Sequence, residues 1–192
     1  MDIKLVTDLL LANKVICLPT ETVLGLASIV NKEAYYNLVN TKNRPLNKAF
    51  PVCFLKEDIN NYCEVNSLQQ KVIDAFLPGP LTVVLKRKET SEIMGNELGT
   101  VAVRCSNDLT LTKILESVKK PLYLTSANLA NEEVCKTILE AKEIFKDKVS
   151  YYIEGTPLGE KASTIVDLTL SSPKVLRQGL IKEEDILKVW RD

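Results

Sequence analysis

The chain has 192 residues, enough for one domain with a substantial core and too few for two of ordinary size. Lysine plus arginine and aspartate plus glutamate number 25 each, so bulk charge gives no general attraction to nucleic acid or to a membrane surface. Histidine is absent, which excludes Ser-His-Asp and Cys-His nucleophile systems and zinc motifs built on histidine. The N-terminal segment lacks a signal-peptide pattern and no apolar run reaches membrane-spanning length, so we expect a cytoplasmic protein.

Helical and extended patterns alternate along the chain. Apolar residues at helical spacing predict helices around residues 5–10, 34–39, 68–76, 111–118, 138–145 and 186–190. The third of these is expected to start after Asn66, which can act as its N-cap. Strands are predicted for KVICLP, FPVCFL, LTVVLKR, GTVAVRC, PLYLTSAN, STIVDL and KVLRQG. Several of these strands are apolar throughout, as expected where both faces of a sheet are covered. The sequence therefore predicts one α/β domain over residues 1–192, with helices flanking a largely mixed sheet.

The five cysteines do not form a recognisable framework. They are odd in number and widely spaced, and they contain no C-x-x-C, which argues against structural disulfides and a structural zinc site. Cys17, Cys53 and Cys105 occur in apolar strand-like runs, where cysteine usually acts as a small core residue.

Basic and hydroxyl side chains gather at the ends of the predicted strands. Neither common nucleotide-binding glycine motif is present. Lys42 and Arg44 precede FPVCFL, where two long cations one residue apart can converge on one polyanion. Arg104 ends a buried-looking strand and requires an anionic partner. Ligands of open α/β sheets tend to bind at strand ends, so these residues together favour an anion pocket.

Two further features complete this pattern. Thr125, Ser126 and Asn128 end PLYLTSAN with groups that can hold phosphate oxygens or a hydrated metal, and Arg177 ends KVLRQG. Taken singly, each strand end is equally compatible with a solvated loop or an ordinary turn. The run Lys86-Arg87-Lys88 is better interpreted as a solvated strand end, because no interleaved aromatics support contact with RNA.

These segments, in this order, resemble the YrdC-like family of threonylcarbamoyl-AMP synthases. The matching pieces are PTETVLGL (19–26), KNRP (42–45), LPGPLTVVL (77–85), VAVRC (101–105), TSAN (125–128), STIVDL (163–168) and LRQG (176–179). They extend over about residues 15–180, and the combination of K-x-R, S-x-N and STIVD is specific although each piece alone is weak. The chain resembles the short, single-domain members of the family.

The resemblance implies a twisted α/β sheet with a deep basic cavity. It also implies an enzyme, an L-threonylcarbamoyladenylate synthase and thus a nucleotidyltransferase, which makes threonylcarbamoyl-AMP and pyrophosphate from L-threonine, bicarbonate and ATP. ATP would be accompanied by Mg²⁺, with no protein side chain assigned as a direct metal ligand. A partner transferase complex would then use the product to modify adenosine in tRNA.

The same resemblance assigns roles to eleven side chains, with Lys42 and Arg44 as the catalytic cations. Those expected to bind ATP are Lys42, Arg44, Lys48, Thr100, Ser126, Asn128 and Arg177. Those expected to bind threonine are Thr22, Cys53, Arg104 and Ser163, with Arg104 as the partner of the threonine carboxylate.

The chain departs from the common family pattern at three places. It has Leu24 where tyrosine is common, and SANLAN where SAN-x-SG is common. Cys53 stands where many relatives carry a histidine beside the amino acid. Cysteine is a poor hydrogen-bonding group, so this substitution affects the expected affinity or selectivity for threonine.

A second hypothesis is a non-catalytic YrdC-like protein that binds RNA or ribosomal assemblies. Catalysis requires four cations to converge in one pocket, namely Lys42, Arg44, Arg104 and Arg177, whereas RNA binding requires a wide basic face. The zero net charge favours the enzyme.

Overall fold

The computed structural model describes residues 1–94, 98–159 and 162–191. The helices are α1 (Ile3–Leu11), α2 (Lys32–Lys42), α3 (Ile59–Tyr62), α4 (Ser67–Phe76), α5 (Leu109–Val118), α6 (Ile138–Phe145) and α7 (Glu183–Arg191). The strands are β1 (Ile16–Leu18), β2 (Gly25–Ile29), β3 (Val52–Cys53), β4 (Cys63–Glu64), β5 (Leu81–Arg87), β6 (Thr100–Arg104), β7 (Leu122–Ser126), β8 (Tyr151–Tyr152), β9 (Thr164–Asp167) and β10 (Lys174–Arg177). Short 3₁₀ turns cover Lys56–Asp58 and Lys146–Lys148.

All ten strands join one sheet in the order β10-β9-β5-β6-β3-β7-β2-β1-β8, with β4 paired to β5. The pairs β1–β8, β3–β6 and β5–β9 are parallel, and the remaining pairs are antiparallel. The predicted mixed sheet with flanking helices is confirmed.

Local signals explain where the helices begin. The Asn66 side chain accepts from the backbone N–H of Gln69, and the Gln69 side chain accepts from the backbone N–H of Asn66, which caps α4 reciprocally. Asp2 and Asp108 cap α1 and α5 through single side-chain acceptors. The helix predicted after Asn66 is confirmed.

Several parts of the sheet differ from prediction, and the two-residue strands β4 and β8 were not predicted. Strand β2 was not predicted, because Gly25 in PTETVLGL is equally compatible with a tight turn. Its absent side chain lets the neighbouring strand approach, since a Cβ there would lie 3.1 Å from Leu124 Cδ1. The run FPVCFL forms only the two-residue strand β3, because Pro51 has no N–H to give to a ladder.

The two faces of the sheet carry separate apolar clusters. Helices α2, α4, α6 and α7 pack one face into the larger cluster, through buried residues such as Leu38, Val72, Phe145 and Ile186. Helices α1 and α5 cover part of the other face, above β1, β2 and β7. Among the helices that the structure describes, none is long and apolar enough to span a membrane.

Strand alternation exposes the rest of that second face to a cavity. In β6, Val101 and Val103 point into the larger cluster, whereas Thr100, Ala102 and Arg104 point the opposite way and line the cavity. The period of two therefore gives these strands one apolar face and one ligand-accessible face. The cavity lies beside the helices α1 and α5, above β5, β6 and β9.

Candidate active site

The cavity has a volume of about 500 Å³ and is lined from several strand ends. Its basic lining side chains are Arg44, Lys48, Arg104 and Arg177, and within the described ranges no aspartate or glutamate lines it. Eight of the eleven side chains predicted for the site line this cavity: Thr22, Arg44, Lys48, Thr100, Arg104, Ser126, Ser163 and Arg177. Three predicted side chains, those of Lys42, Cys53 and Asn128, lie outside the lining.

Arg44 is held at the cavity by the loop that follows α2. The helix ends at Asn43, whose left-handed φ of 49° turns the chain toward Arg44. The Arg44 guanidinium donates from Nε to Lys48 O and from Nη2 to Ala49 O, each at 2.9 Å, and lies 4.8 Å from the Phe50 ring centroid. Burial lowers the pKa of Arg44 from its usual value. The guanidinium is thereby fixed in one place before any ligand arrives.

Lys42 has the opposite environment although it is only two residues away. Its side chain is 1% exposed, and Nζ donates to Ser126 O at 2.5 Å, Asn128 O at 2.7 Å and Asn128 Oδ1 at 3.0 Å. The prediction that Lys42 lines the phosphate site beside Arg44 is therefore corrected. Because Lys42 is on the last turn of α2, its side chain reaches the end of β7 instead.

Lys42 organises the turn after β7. The Ser126 hydroxyl donates to Asn128 Oδ1 at 2.6 Å, and Asn128 Nδ2 donates to the carbonyls of Leu129 and Glu132. Only Ser126 of this group reaches the cavity, where Thr125 lies beside it. Burial lowers the pKa of Lys42 to about 7, and the charge of Arg44 acts in the same direction. Lys42 and Asn128 thus support Ser126 from behind.

Arg104 forms a buried ion pair that the sequence did not reveal. Its Nη2 donates to Glu21 Oε1 at 2.7 Å and to Thr22 Oγ1 at 2.8 Å, and the two paired side chains are 10% and 8% exposed. The Ser106 hydroxyl donates to the second oxygen, Glu21 Oε2, at 2.5 Å. The expected anionic partner of Arg104 is therefore inside the protein. Glu21 is the residue that sequence reasoning missed, although it stands in PTETV directly before Thr22.

Arg177 and Ser163 form another corner of the cavity. Arg177 donates from Nε and Nη2 to Ser163 O, at 3.1 and 2.8 Å, and Ser163 Oγ lies 2.8 Å from Thr82 Oγ1. A Cβ on Gly179 would lie 2.4 Å from Thr164 N, so only glycine permits the segment after β10 to approach the start of β9 this closely. Burial, and then the nearby charge of Arg104, lower the pKa of Arg177.

Cys53 does not reach the cavity. It pairs with Arg104 in the sheet, but its side chain is fully buried in the cluster beneath α1 and α5. Burial raises the pKa of its thiol to about 11. The prediction that it lines the threonine site is corrected: β3 ends at Cys53, and the helices cover this part of the sheet face. Its interpretation as a small core residue agrees with the structure.

Three comparisons with known proteins place this geometry in a family. The family profile Sua5_yciO_yrdC, described as telomere recombination, matches residues 8–179. A relative from Methanocaldococcus jannaschii is 34% identical over 177 residues, which is 90% of this chain and 83% of that protein. The threonylcarbamoyl-AMP synthase of Photobacterium profundum is 30% identical over 180 residues, 91% of this chain and 97% of that protein.

Solved structures give the same result. The crystal structure of Pyrococcus abyssi Sua5 complexed with L-threonine superposes with a TM-score of 0.90 at 28% identity and covers 97% of this chain. The chain spans only 56% of the length of that protein. The structure of Escherichia coli YciO, at 23% identity and a TM-score of 0.87, shows the same fold. This chain belongs to the Sua5/YciO/YrdC family.

Proposed function

We propose that this protein is an L-threonylcarbamoyladenylate synthase that joins L-threonine, bicarbonate and the AMP moiety of ATP. The observation that carries the proposal is the convergence of Arg44, Lys48, Arg104 and Arg177 on one cavity, in a chain whose relatives are threonylcarbamoyl-AMP synthases. A non-catalytic RNA-binding protein would be better served by cations spread over an outer face.

We divide the cavity into a phosphate end and an amino-acid end by the chemistry of its cations. We assign the ATP phosphates to Arg44, Lys48, Arg177 and the Ser126 hydroxyl, because these three cations have no carboxylate within 4.0 Å among the described residues. Arg177 borders the amino-acid end, since the charge of Arg104 reaches it. We assign the threonine carboxylate to Arg104, whose buried Nε has no hydrogen-bond partner in the described protein. The Nε atom itself is buried, so a carboxylate would accept from the part of the Arg104 guanidinium that lines the cavity.

The reaction divides into two steps. The threonine amine nitrogen forms a bond to the carbon of bicarbonate, and water leaves, which gives the carbamate. A carbamate oxygen then forms a bond to the α-phosphorus of ATP while the bond to the β-phosphate bridging oxygen breaks and pyrophosphate leaves. Neither step requires a covalent nucleophile or a histidine from the protein. Arg44, Lys48 and Arg177 stabilise the charge that builds up on the phosphates, and Arg104 positions the carbamate.

Mg²⁺ is part of the proposal as the usual companion of ATP. The described residues contain no group of three or more histidine, cysteine, aspartate or glutamate side chains that could hold a metal ion. The chain's oxygen donors at the phosphate end are the hydroxyls of Thr125 and Ser126. These fit a Mg²⁺ ion that is held mainly by the ATP phosphates, with a protein hydroxyl as an additional ligand. When bound, the ion would neutralise phosphate charge.

In the cell, we propose that the product passes to a threonylcarbamoyl transferase complex that modifies tRNA in the cytoplasm. The proposed activity is tested by pyrophosphate release from ATP, with bicarbonate present and each amino acid supplied in turn. Release should depend on threonine and on bicarbonate, and it should fall at least about a hundredfold in Arg44→Ala and Arg104→Ala. Lys4→Ala, which removes an exposed cation on α1, is the matched control and should retain activity.

Two results would reject the proposal. Pyrophosphate release that ignores both threonine and bicarbonate would show a different reaction. Tight binding of tRNA or ribosomal RNA without any turnover would favour the RNA-binding alternative.

A further inference from the structure

The four cations of the cavity are not equivalent. Arg104 alone among them has a protein carboxylate within 4.0 Å in the described structure, at 2.7 Å from Glu21 Oε1. The Glu21 carboxylate is not among the groups that line the cavity, although Thr22, the next residue in the chain, is. Glu21 therefore changes the charge that a ligand meets at Arg104 without contacting the ligand.

The pair is built into the fold rather than formed by chance contact. The Ser106 hydroxyl holds Glu21 Oε2, and Ser106 Oγ in turn accepts the backbone N–H of Asp108 at 3.1 Å. Thr22 Oγ1 accepts a second bond from Arg104 Nη2 and lies 3.1 Å from Thr20 Oγ1. Both members of the pair are thus fixed by neighbours on two separate segments, and a buried pair of this kind is weakly screened by salt.

Arg104 would otherwise attract phosphate strongly. It lies close enough to Arg177 for its charge to act on that guanidinium. An unpaired Arg104 would extend the positive region of the cavity from the phosphate end into the amino-acid end, and arginine binds phosphate as readily as carboxylate. A triphosphate or pyrophosphate could then occupy both ends.

The pairing with Glu21 removes this attraction and leaves the hydrogen-bond donors in place. The Arg104–Glu21 pair is neutral overall, so its long-range pull on a multiply charged anion is small. At close range, the part of the Arg104 guanidinium that lines the cavity can still donate a hydrogen bond to a ligand that reaches it. A singly charged carboxylate gains that hydrogen bond. A polyphosphate gains the same bond but no long-range electrostatic attraction, because the Arg104–Glu21 pair is neutral.

We propose that Glu21 is a specificity-determining residue that reserves Arg104 for the amino-acid carboxylate by excluding phosphate from that end of the cavity. This rests on the proposed function for the identity of the two ligands. In this proposal, the Glu21 carboxylate keeps an amino-acid subsite separate from a polyphosphate subsite within one cavity.

The test is calorimetric titration with inorganic pyrophosphate, in the absence of ATP and threonine, of wild type and Glu21→Gln. Glutamine keeps an oxygen that can accept from Arg104 and an amide that can donate to Ser106, so the substitution removes charge with little change of shape. We expect Glu21→Gln to bind pyrophosphate at least about tenfold more tightly, or to bind a second equivalent. Adding Arg104→Met to Glu21→Gln should remove the gain.

Glu154→Gln is the matched control, because it removes the same charge from an exposed pair with Lys142, at 2.7 Å. It should bind pyrophosphate as wild type does. Circular dichroism and the melting temperature establish that each variant is folded. Equal pyrophosphate affinity in wild type and Glu21→Gln overturns the inference, as does a gain that survives Arg104→Met. Since this titration uses no threonine, a failure of wild-type turnover rejects the proposed function without altering the result.

Discussion

Lys42 and Arg104 are both buried cations beside the same cavity, and they are compensated in opposite ways. Lys42 is surrounded by neutral oxygens of Ser126 and Asn128, whereas Arg104 is paired with the carboxylate of Glu21. Burial, and then the charge of Arg44, lower the pKa of Lys42 to about 7. The partners of each cation determine its role. Lys42 fixes the turn after β7, whereas Arg104 presents hydrogen-bond donors to the cavity while Glu21 neutralises its charge.

The largest effect expected is on stability when the charge pair is broken from one side. Arg104→Met leaves the Glu21 carboxylate buried without its cation, which should lower the free energy of unfolding by about 3–5 kcal/mol and the melting temperature by about 10 °C. Urea unfolding measures the first quantity. In Arg104→Met combined with Glu21→Gln, a large part of the loss should be regained, because no buried charge remains. An equal loss in the single and double variants would contradict the ion-pair interpretation.

A smaller loss is expected at Lys42. Lys42→Met has similar length but leaves the carbonyls of Ser126 and Asn128 without a donor, at a cost of about 1–3 kcal/mol in urea unfolding. No charge is left unpaired, which is why the cost should be below that of Arg104→Met. Lys182→Met is the matched control, because it makes the same substitution at an exposed lysine, and it should change the free energy of unfolding little. A loss at Lys42 as large as that at Arg104 would remove the distinction between the two.

The pH dependence of stability separates the two cations further. The pKa of Lys42 is about 7 in the folded chain against an ordinary value of 10.5, so above pH 7 the unfolded chain binds a proton that the folded chain lacks. The free energy of unfolding of wild type relative to Lys42→Met should therefore rise between pH 7 and pH 9, by at most about 1.4 kcal/mol per pH unit. It should be flat below pH 7. Parallel curves for the two proteins across this window would show that Lys42 keeps an ordinary pKa.

The smallest effect on stability is expected at the exposed phosphate end. Lys48→Met should change the free energy of unfolding by no more than about 0.5 kcal/mol, because the side chain is exposed. Pyrophosphate affinity should still fall by about two- to fivefold, the range for a solvent-exposed charge contact. Unchanged pyrophosphate affinity, measured by the same calorimetric titration, would place Lys48 outside the phosphate subsite.

Much of the fold could be predicted from local patterns. The α4 helix was predicted from an asparagine cap before an apolar stripe, and LTVVLKR forms β5 over all seven residues. Strand β2 was missed because Gly25 also suits a turn. Its role as a strand depends on Leu124 of β7, a contact nearly a hundred residues away in the chain.

The residues of the candidate site were predicted only in part. Arg44, Arg104 and Arg177 were predicted as site residues because cations at strand ends indicate an anion site, and all three line the cavity. Lys42 was placed on the wrong side of its loop, since the spacing of K-x-R does not specify which cation faces the cavity. The direction of each side chain depends on the end of α2 and on the turn after β7.

The sequence by itself determined that this protein is an α/β domain without imidazole chemistry, whose cations gather at strand ends. Composition and local periodicity are sufficient for this, because they depend on neighbours in the chain. Only the tertiary structure decided which cations are compensated and by what. The partners of Arg104 and Lys42 lie more than eighty residues away in sequence, and burial of a charge forces such partners together only once the sheet has formed.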